Sequence, residues 1–300
     1  MSAAVGTPLP SRKAKDILAA SSDYLQQRGA CEPRMAAELL MSRLLNCKRL
    51  ELNLKSDVVL AENLLEAMRR GVKRVAAGEP VQYVLGQVDF MGHMVKVDRR
   101  ALIPRPETEE LVAWILECAA LWGGTGGAVK SKPVIADVGT GSGCIVLSLA
   151  LAKHGYYVGL DVSGDALSLA QENAAAMGLT ETVAFLHGEL ADGVDEGTLD
   201  AVVANLPYIP TADYERLPVH IRDHEPRVAL DGGADGLEVV GAVVQDAAIA
   251  LKPGGHLFLE IGHDQAVRVR ELLEQSGFIA IEIRKDLAGH DRMLHALSPK

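Results

Sequence analysis

The amino-acid sequence predicts an α/β fold in which a small helical domain precedes a doubly wound sheet. Apolar residues in the first 78 positions recur at helical spacing, whereas from residue 133 onwards strand patterns alternate with helix patterns. A glycine-rich loop at 139–143 lies where the first of these strands gives way to a helix. In sheets of this kind, ligands bind at the carboxyl ends of the strands.

Residues 1–78 predict a helical bundle. One helix face is formed at i, i+4, i+8 and i+11 spacing by Leu64, Met68, Val72 and Val75. The segment holds 13 Lys and Arg against 8 Asp and Glu, a net charge of +5, whereas residues 79–300 hold 17 against 32, a net charge of −15. This contrast predicts two domains of different character.

Residues 79–105 predict a β-hairpin that links the two domains. The apolar period changes to two, first at Val81, Tyr83 and Leu85, then in the pairs Val88/Phe90 and Val95/Val97. Gly92 lies between the last two pairs, where a tight turn joins two strands.

Residues 106–300 predict the sheet and its helices. Acidic residues around Thr108 suit the N-terminus of a first helix, which runs into a flexible glycine-rich loop at 123–127. The charge cluster at 213–227 predicts a mobile surface loop. Seven strands are expected, the last two as a closing pair, at 133–139, 156–162, 183–188, 199–207, 256–262, 278–286 and 293–297.

The composition excludes several classes of protein. Apolar residues make up 48% and charged residues 23%, which are values of a globular chain, and the net charge of −10 disfavours general binding to nucleic-acid phosphates. The four cysteines form no CxxC pair, and His220 and His224 lie in HIRDHEP rather than HExxH, so no metal site is expected. Without a membrane-length apolar run or a secretory signal, we expect a cytoplasmic protein.

The glycine loop and the acid after the next strand predict a nucleoside-containing ligand. Glycines at 139–143 let the backbone approach a ligand and adopt positive φ. Asp161 ends the next strand, where a carboxylate accepts hydrogen bonds from both ribose hydroxyls. Loop and acid together fit NAD or S-adenosylmethionine. The alternative role of Asp161, as the N-cap of the following helix, can be filled by Ser163.

The tetrapeptide Asn205-Leu206-Pro207-Tyr208 follows the fourth strand and is the most informative motif. After D-V-G-T-G-S-G and D-V-S, it is similar to the N-P-P-Y of class I methyltransferases that modify planar amino nitrogens. GEPVQYVLGQVDFMG and ALIPRPETEELV upstream, with HEPRVALDGGADGLEVV and KDLAGHDRM downstream, resemble the HemK/PrmC family of release-factor glutamine methyltransferases. The resemblance covers essentially the whole chain.

This resemblance implies a class I, Rossmann-like methyltransferase domain at 106–300 and a substrate-recognition domain at 1–78. It implies transfer of a methyl group from S-adenosylmethionine to the side-chain amide nitrogen (N5) of the glutamine in the GGQ motif of class-1 peptide chain release factors, which modulates translation termination. We expect the basic helical domain to dock on an acidic release-factor surface. We also expect a monomer that binds neither nucleic acid nor membrane.

The resemblance also implies roles for individual residues. Asn205 and Tyr208 are catalytic: Asn205 Oδ1 and the Leu206 carbonyl accept the two N–H bonds of the substrate amide, and Tyr208 lies against its plane. Substrate-binding residues are Asn205, Leu206, Pro207, Tyr208 and Phe90. Cofactor-binding residues are Gly139, Thr140, Gly141, Ser142, Gly143, Asp161, Glu189, Leu190 and Asn205. Arg105 and Thr108 are expected to edge the cofactor site, and Glu225 and Arg227 to lie near the substrate.

Two positions depart from the family pattern, and other functions stay open. Leu206 replaces the usual Pro, although Pro207 still favours extended backbone there, and Glu189 replaces an Asp near the expected adenine position. N-L-P-Y is also found in ribosomal-RNA adenine dimethyltransferases, which instead append a basic C-terminal domain. The alternatives are glutamine methylation of a large-subunit ribosomal protein, adenine N6 methylation of RNA or DNA, and a non-enzymatic nucleoside-binding module.

Overall fold

The computed structural model describes residues 12–123 and 132–299. The glycine-rich loop predicted at 123–127 therefore lies outside the described residues, apart from Gly123. The chain forms two compact units, of which the first ends at Gly86 and the second begins at Gln87. The domain boundaries drawn from the sequence at 78 and 105 stay predictions.

The first unit is a helical bundle, as the apolar spacing predicts. Its helices are α1 (Ala14–Gln27), α2 (Pro33–Leu44), α3 (Glu62–Ala76) and α4 (Val81–Leu85), with a 3₁₀ helix at Arg49–Lys55. Side chains with almost no exposure form its core, among them Leu25, Met41 and Met68. Helices α2 and α3 approach closely at Gly71, because a Cβ there would lie 2.7 Å from Leu40 Cδ2.

The expected strand at Val81, Tyr83 and Leu85 is wrong, because these residues belong to helix α4. Val81 is part of the bundle core, and Val84 and Leu85 pack against it. Positions 81, 84 and 85 follow the i, i+3, i+4 spacing of a helix face, so the same apolar residues also fit a helix. Packing against the bundle selects the helix over the period-two pattern.

The hairpin itself is confirmed over a shorter range. Strands β1 (Gln87–Phe90) and β2 (His93–Lys96) pair antiparallel, with Val88 opposite Val95. Met91 and Gly92 form the turn with φ of 52° and 79°. Two consecutive positive φ angles match the right-handed twist of a hairpin.

The second unit contains the sheet and its helices. Its helices are α5 (Pro106–Glu117), α6 (Cys144–Ala152), α7 (Gly164–Ala176), α8 (Leu190–Gly193), α9 (Thr211–Tyr214), α10 (Val219–Arg222), α11 (Glu238–Ala250) and α12 (Ala266–Gln275), with a 3₁₀ helix at Arg227–Ala229. Its strands are β3 (Val134–Val138), β4 (Tyr156–Asp161), β5 (Val183–His187), β6 (Leu199–Asn205), β7 (Leu251–Glu260), β8 (Ile279–Lys285) and β9 (Asp291–Leu297).

The seven strands are ordered β5-β4-β3-β6-β7-β9-β8, which confirms the doubly wound sheet and the closing strand pair. Strands β3 to β7 are parallel, and β9 lies antiparallel between β7 and β8. The chain order reverses between β3 and β6, which is the switch point where such sheets bind ligands. Val138 pairs with Leu160 and Ala204, so the segments after these strands meet at one edge.

The central strands are apolar on both faces, as expected for parallel strands covered by helices. Ile135, Ala136, Val202 and Val203 have essentially no exposed surface. The side chains that project from these strands therefore form a packed core. Polar side chains of functional interest are concentrated at the carboxyl edge.

Candidate active site

A cavity of about 390 Å³ opens at the carboxyl edge of the sheet. This volume lies within the range of roughly 300–1,000 Å³ that is typical of small-molecule sites. Segments that follow β3, β4, β5 and β6 contribute to its wall. The predicted residues that line it are Arg105, Thr108, Gly139, Thr140, Gly141, Ser142, Asp161, Glu189, Leu190, Asn205, Leu206 and Pro207.

Other predicted residues lie outside the cavity wall. The ring of Phe90 is buried beside the hairpin turn, with 1% of the residue exposed, and Gly143, the last residue of the glycine loop, packs against Leu147 and Ala170. Tyr208 is mostly buried, and its backbone carbonyl accepts a hydrogen bond from Gln265 Nε2 at 2.9 Å. Burial raises the pKa of the Tyr208 hydroxyl. The roles assigned to these three residues stay predictions.

The glycine loop adopts a backbone that side chains would obstruct. Gly139, Gly141 and Gly143 have φ of 70°, 56° and 80°, as the motif predicts. A Cβ on Gly143 would lie 3.0 Å from Leu147 Cδ1 and 3.2 Å from the Cβ of Ala170. Glycine therefore lets the loop pass directly over helices α6 and α7 and present its backbone to the cavity.

Asp137 holds this loop from below. Its Oδ2 accepts hydrogen bonds from Thr140 Oγ1 at 2.7 Å and from the Val146 backbone N–H at 3.2 Å. Its Oδ1 is buried with no hydrogen-bond partner, and burial raises the pKa of the carboxyl to about 7. Because Asp137 has no exposed surface and does not line the cavity, its role in the site is to hold the loop through Thr140 and the start of helix α6 through Val146.

Asp161 joins the loop to the start of helix α7. Its Oδ2 accepts from the Gly141 N–H and its Oδ1 from the Ser163 N–H, both at 2.9 Å. Each carboxylate oxygen retains a second acceptor position, so Asp161 can still accept hydroxyl donors. Burial raises the pKa of this carboxyl. Ser163 Oγ caps α7 by accepting from Ala166 N at 3.2 Å, which leaves Asp161 available for a ligand.

Asn205 is held by a hydrogen-bonded chain that starts on helix α5. Its Nδ2 donates to Thr108 Oγ1 at 3.0 Å, and that hydroxyl donates to Glu260 Oε2 at 2.6 Å. Thr108 and Glu260 are each 2% exposed. Glu260 pairs in register with Asn205 at the end of the neighbouring strand β7. Burial raises the pKa of Glu260 to about 7.

Sequence reasoning missed Glu260, although a signal for it was present. The motif LFLEIG places an acidic residue at the end of an apolar strand, where the side chain faces the same sheet edge as Asn205. Asn173 was missed as well, and here the sequence offered no signal. Its amide binds the backbone of Lys96 and the carbonyl of Ser142, so it ties strand β2 to the glycine loop.

The segment expected to form a mobile surface loop at 213–227 is instead anchored to the site. Glu225 accepts from the Arg105 guanidinium at 2.6 Å and from the Ile103 N–H at 3.1 Å. Its side chain is 1% exposed. This anchor positions the neighbouring residues Pro226, Val228 and Ala229 on the cavity wall. Arg227 is exposed and pairs with Asp231, so it does not line the cavity.

Within residues 12–123 and 132–299, no three His, Cys, Asp or Glu side chains are arranged to hold a metal ion. Among the helices described above, none combines the length and the apolar character needed to cross a membrane.

Comparison with protein families identifies both units. Residues 16–86 match the model of the PrmC N-terminal domain, and residues 135–224 match that of a methyltransferase domain. A solved methyltransferase structure from Pyrococcus furiosus is similar with a TM-score of 0.51 and 16% sequence identity, covering 70% of this chain and 91% of that one. This structural likeness shows the fold.

Several relatives of nearly full length are named release factor glutamine methyltransferase. The protein of Moorella thermoacetica is 40% identical over 271 residues, which cover 88% of this chain and 91% of the relative. That of Chlorobaculum tepidum is 37% identical over 289 residues, covering 94% and 96%. That of Rhodopirellula baltica is 34% identical over 283 residues, covering 93% and 94%.

Proposed function

The chain belongs to the family of release factor glutamine methyltransferases, and we propose that it methylates the side-chain amide nitrogen of a glutamine in a peptide chain release factor. The methyl donor is S-adenosylmethionine. The observation that carries the proposal is the position of Asn205, Leu206 and Pro207 on the cavity wall, beside the glycine loop. These residues bring hydrogen-bond acceptors to the place where a cofactor and a substrate amide would meet.

The residues around the cavity fit the cofactor. Residues 139–142 line the cavity, so the backbone of this loop suits the methionine end of the cofactor. Asp137, buried beneath the loop, holds Thr140 in place. Asp161 suits the ribose hydroxyls, and Glu189 and Leu190 follow the next strand, where the adenine is expected. When bound, S-adenosylmethionine supplies an electrophilic methyl group on its sulfonium.

The substrate amide needs two acceptors, because its nitrogen carries two N–H bonds. Thr108 accepts a hydrogen bond from Asn205 Nδ2, so the oxygen Oδ1 is the end of the amide that is available to a ligand. We assign one substrate N–H to this oxygen and the other to the backbone carbonyl of Leu206. With both N–H bonds held, the planar nitrogen presents its face, where the lone pair lies, in a fixed direction.

Positioning and electrostatics supply the catalysis in this proposal. An amide nitrogen is a weak nucleophile because its lone pair is delocalised into the carbonyl. Holding two reactants in line contributes roughly 7–11 kcal/mol to lowering the barrier. The nitrogen gains positive charge as it takes the methyl group, and the acceptor dipoles of Asn205 and Leu206 stabilise that charge until one of its two protons is released to water and the neutral N-methyl amide remains.

The finer assignments follow the same proposal. The modified glutamine is that of the GGQ motif in class-1 release factors, and its methylation tunes translation termination. The chain acts in the cytoplasm, together with its release-factor substrate. The basic helical segment recognises the release factor, and the acidic remainder does not hold nucleic acid.

The decisive experiment offers isotope-labelled S-adenosylmethionine to the purified chain together with one acceptor at a time. The acceptors are a class-1 release factor, the same factor with its GGQ glutamine replaced by alanine, a large-subunit ribosomal protein, and ribosomal RNA. We expect label only in the intact release factor, with a mass increase of one methyl group on the GGQ peptide.

Each other outcome contradicts the proposal in a different way. Label in the ribosomal protein would move the substrate to another glutamine. Label in RNA would assign adenine methylation. Absence of transfer to every acceptor, with cofactor binding intact, would indicate a nucleoside-binding module.

A further inference from the structure

The hydrogen-bonded chain Asn205–Thr108–Glu260 has a direction that follows from its chemistry. An ionised Glu260 carboxylate has no proton, so it can only accept. The Thr108 hydroxyl therefore donates its single proton to Glu260, at 2.6 Å. Only the lone pairs of the Thr108 oxygen remain, and they can accept a hydrogen bond from Asn205, 3.0 Å away. The partner on Asn205 must then be a donor, which is the NH₂ end of its amide.

We propose that Thr108 and Glu260 are positioning residues that fix the orientation of the Asn205 amide, so that Oδ1 rather than the NH₂ group faces the substrate. This inference rests on the proposed glutamine methylation and deepens it. Neither residue needs to contact the substrate through its own hydrogen-bonding group, because both act through Asn205.

The orientation matters because the two ends of a carboxamide have nearly the same shape and opposite hydrogen-bonding roles. Apolar packing cannot distinguish them. A flipped Asn205 would present N–H donors to the N–H donors of the substrate amide and would remove one of its two acceptors. The buried hydroxyl of Thr108, which accepts from Asn205 Nδ2, therefore determines whether the site offers the substrate both acceptors.

The protonation state of Glu260 controls this direction. Burial raises the pKa of Glu260 to about 7, although Arg292 and Arg105 oppose that shift. A protonated Glu260 can donate to Thr108 Oγ1, and the Thr108 hydroxyl can then donate to Asn205 Oδ1, which reverses the amide. Glu260 interacts electrostatically with five other titratable or charged groups, which are Arg105, Glu107, Cys144, Tyr208 and Arg292.

The first test compares Thr108→Val with Thr108→Ser. Valine keeps the volume and removes the hydroxyl, whereas serine keeps the hydroxyl. With both substrates saturating, we expect Thr108→Val to lower kcat about tenfold, the effect of one lost hydrogen bond, and Thr108→Ser to stay within about twofold of the parent chain. Cofactor affinity should be similar in all three proteins, and equal kcat values for Val and Ser would overturn the inference.

The second test is the pH dependence of kcat. The parent chain and Thr108→Ser should lose turnover as the pH falls below about 7, and Glu260→Gln and Thr108→Val should lack this acid limb. Asp200→Asn, at the other end of strand β6, is the matched control and should keep it. Burial raises the pKa of Asp137 to about 7 as well. If the loss of turnover below about pH 7 persists in Glu260→Gln, it must come from another group such as Asp137, and the proposed role of Glu260 is wrong.

A third test does not depend on activity. The chain has only five asparagines, at 46, 53, 63, 173 and 205, so selective ¹⁵N-asparagine labelling gives a sparse side-chain NMR spectrum. Asn205→Ala identifies the Asn205 signal, which should titrate near pH 7 in the parent chain and not in Thr108→Val. A pH-independent signal in a chain that methylates release factor would refute the orientation alone. A titrating signal in a chain that does not methylate would refute the proposed function alone.

Discussion

Asn205 has two hydrogen-bonding ends, and the structure gives them different partners. Its nitrogen is bound to Thr108 inside the protein, and its residue contributes to the cavity wall. The oxygen end is therefore the part of the side chain that the substrate would meet. A side chain without an amide would lose either the contact with Thr108 or the oxygen that faces the cavity.

Replacing Asn205 by alanine should separate binding from turnover. Asn205→Ala removes one of the two proposed acceptors, so we expect kcat to fall by about 100-fold or more, the range seen when one preorganised polar group is lost. Calorimetry should show cofactor binding largely retained. Asn63→Ala, at an exposed position of α3, is the control and should keep normal turnover. A near-normal rate in Asn205→Ala would contradict its assigned role.

At the glycine loop, backbone strain and packing can be separated experimentally. Gly143→Ala places a Cβ 3.0 Å from Leu147 in a residue with φ of 80°, whereas Gly178→Ala adds a Cβ at φ of 71° with nothing within 4 Å. We expect Gly178→Ala to lower the free energy of unfolding by about 1–2 kcal/mol through strain, and Gly143→Ala by about 1–3 kcal/mol more through overpacking. Urea unfolding measures both, and equal losses would show that packing beneath the loop is unimportant.

At the scale of elements, the segment from α10 to the 3₁₀ helix is part of the site because one buried carboxylate anchors it. Glu225 binds Arg105 and the Ile103 N–H, and the three residues on the cavity wall lie directly after it. The sequence shows only a charged stretch with prolines, which predicts a surface loop. The partners of Glu225 lie 120 and 122 positions earlier in the chain.

Weakening this anchor should reduce both stability and ligand binding. Glu225→Gln removes the charge that binds Arg105, so we expect a loss of about 1.5–3 kcal/mol in the free energy of unfolding, typical of a hydrogen bond to a charged group. The cofactor dissociation constant should rise, because the cavity wall is less well held. Arg227→Gln removes an exposed guanidinium that pairs with Asp231 and lies over the Tyr214 ring, and it should cost less stability than Glu225→Gln. Unchanged cofactor affinity in Glu225→Gln would show that the anchor does not support the site.

The helix α4 shows how neighbouring elements decide an ambiguous pattern. Val81, Tyr83 and Leu85 alternate, but Val81, Val84 and Leu85 also fit one helix face, and the bundle core accepts that face. Pro80 and Gly86, at the two ends of α4, limit the helix to five residues. A segment this short carries too few positions for its period to be read from sequence alone.

At the scale of the whole molecule, two buried carboxyls make stability depend on pH. Burial raises the pKa values of Asp137 and Glu260 from their ordinary acidic range to about 7. Between their ordinary pKa values and about pH 7, these two carboxyls bind more protons in the native state than in the unfolded state, so their contribution to the free energy of unfolding falls as the pH rises from about 5 to 7. Burial lowers the pKa of His295 to about 4, and this shift acts in the opposite direction over the same range, because the unfolded imidazole binds a proton that the native one does not. The contribution of Glu260 is therefore measured as a difference: in urea unfolding, the parent chain should lose stability relative to Glu260→Gln as the pH rises from about 5 to 7.

Carboxylates with lowered pKa values act in a different pH range. Salt bridges with Arg100 and Lys96 lower the pKa of Glu172 to about 2. Its contribution to stability is present above its unfolded pKa and is lost as the pH falls below about 4.5. It therefore adds no slope between about pH 5 and 7, and equal slopes for the parent chain and Glu260→Gln over that range would contradict the burial argument.

The uneven charge of the chain predicts how it meets its substrate. Residues 1–78 carry a net charge of +5 and the rest of the chain −15. If the basic segment docks on an acidic release-factor surface, the affinity should weaken as ionic strength rises, mainly through a slower association rate. Surface plasmon resonance at increasing NaCl concentration measures this, and a salt-independent affinity would refute electrostatic docking.

The sequence by itself determined the order of the elements and the segments that form the site. Apolar periodicity and glycine conformations are local properties, so the seven strands, the hairpin turn at Gly92 and the loop at 139–143 could be predicted from short stretches of chain. The chain order of a doubly wound sheet then brings the ends of β3, β4, β5 and β6 to one edge. Asn205 and Asp161 could be assigned to one site for that reason.

Only the tertiary structure decided which buried groups form hydrogen bonds with the residues of the site. The contact of Thr108 with Glu260 joins positions 152 residues apart, and the contact of Asn173 with Lys96 joins positions 77 apart. Such pairs depend on how helices pack on the sheet, and no local pattern encodes that distance. The orientation of Asn205, the anchoring of Glu225 and the raised pKa of Glu260 all arise from burial, which exists only once the chain is folded.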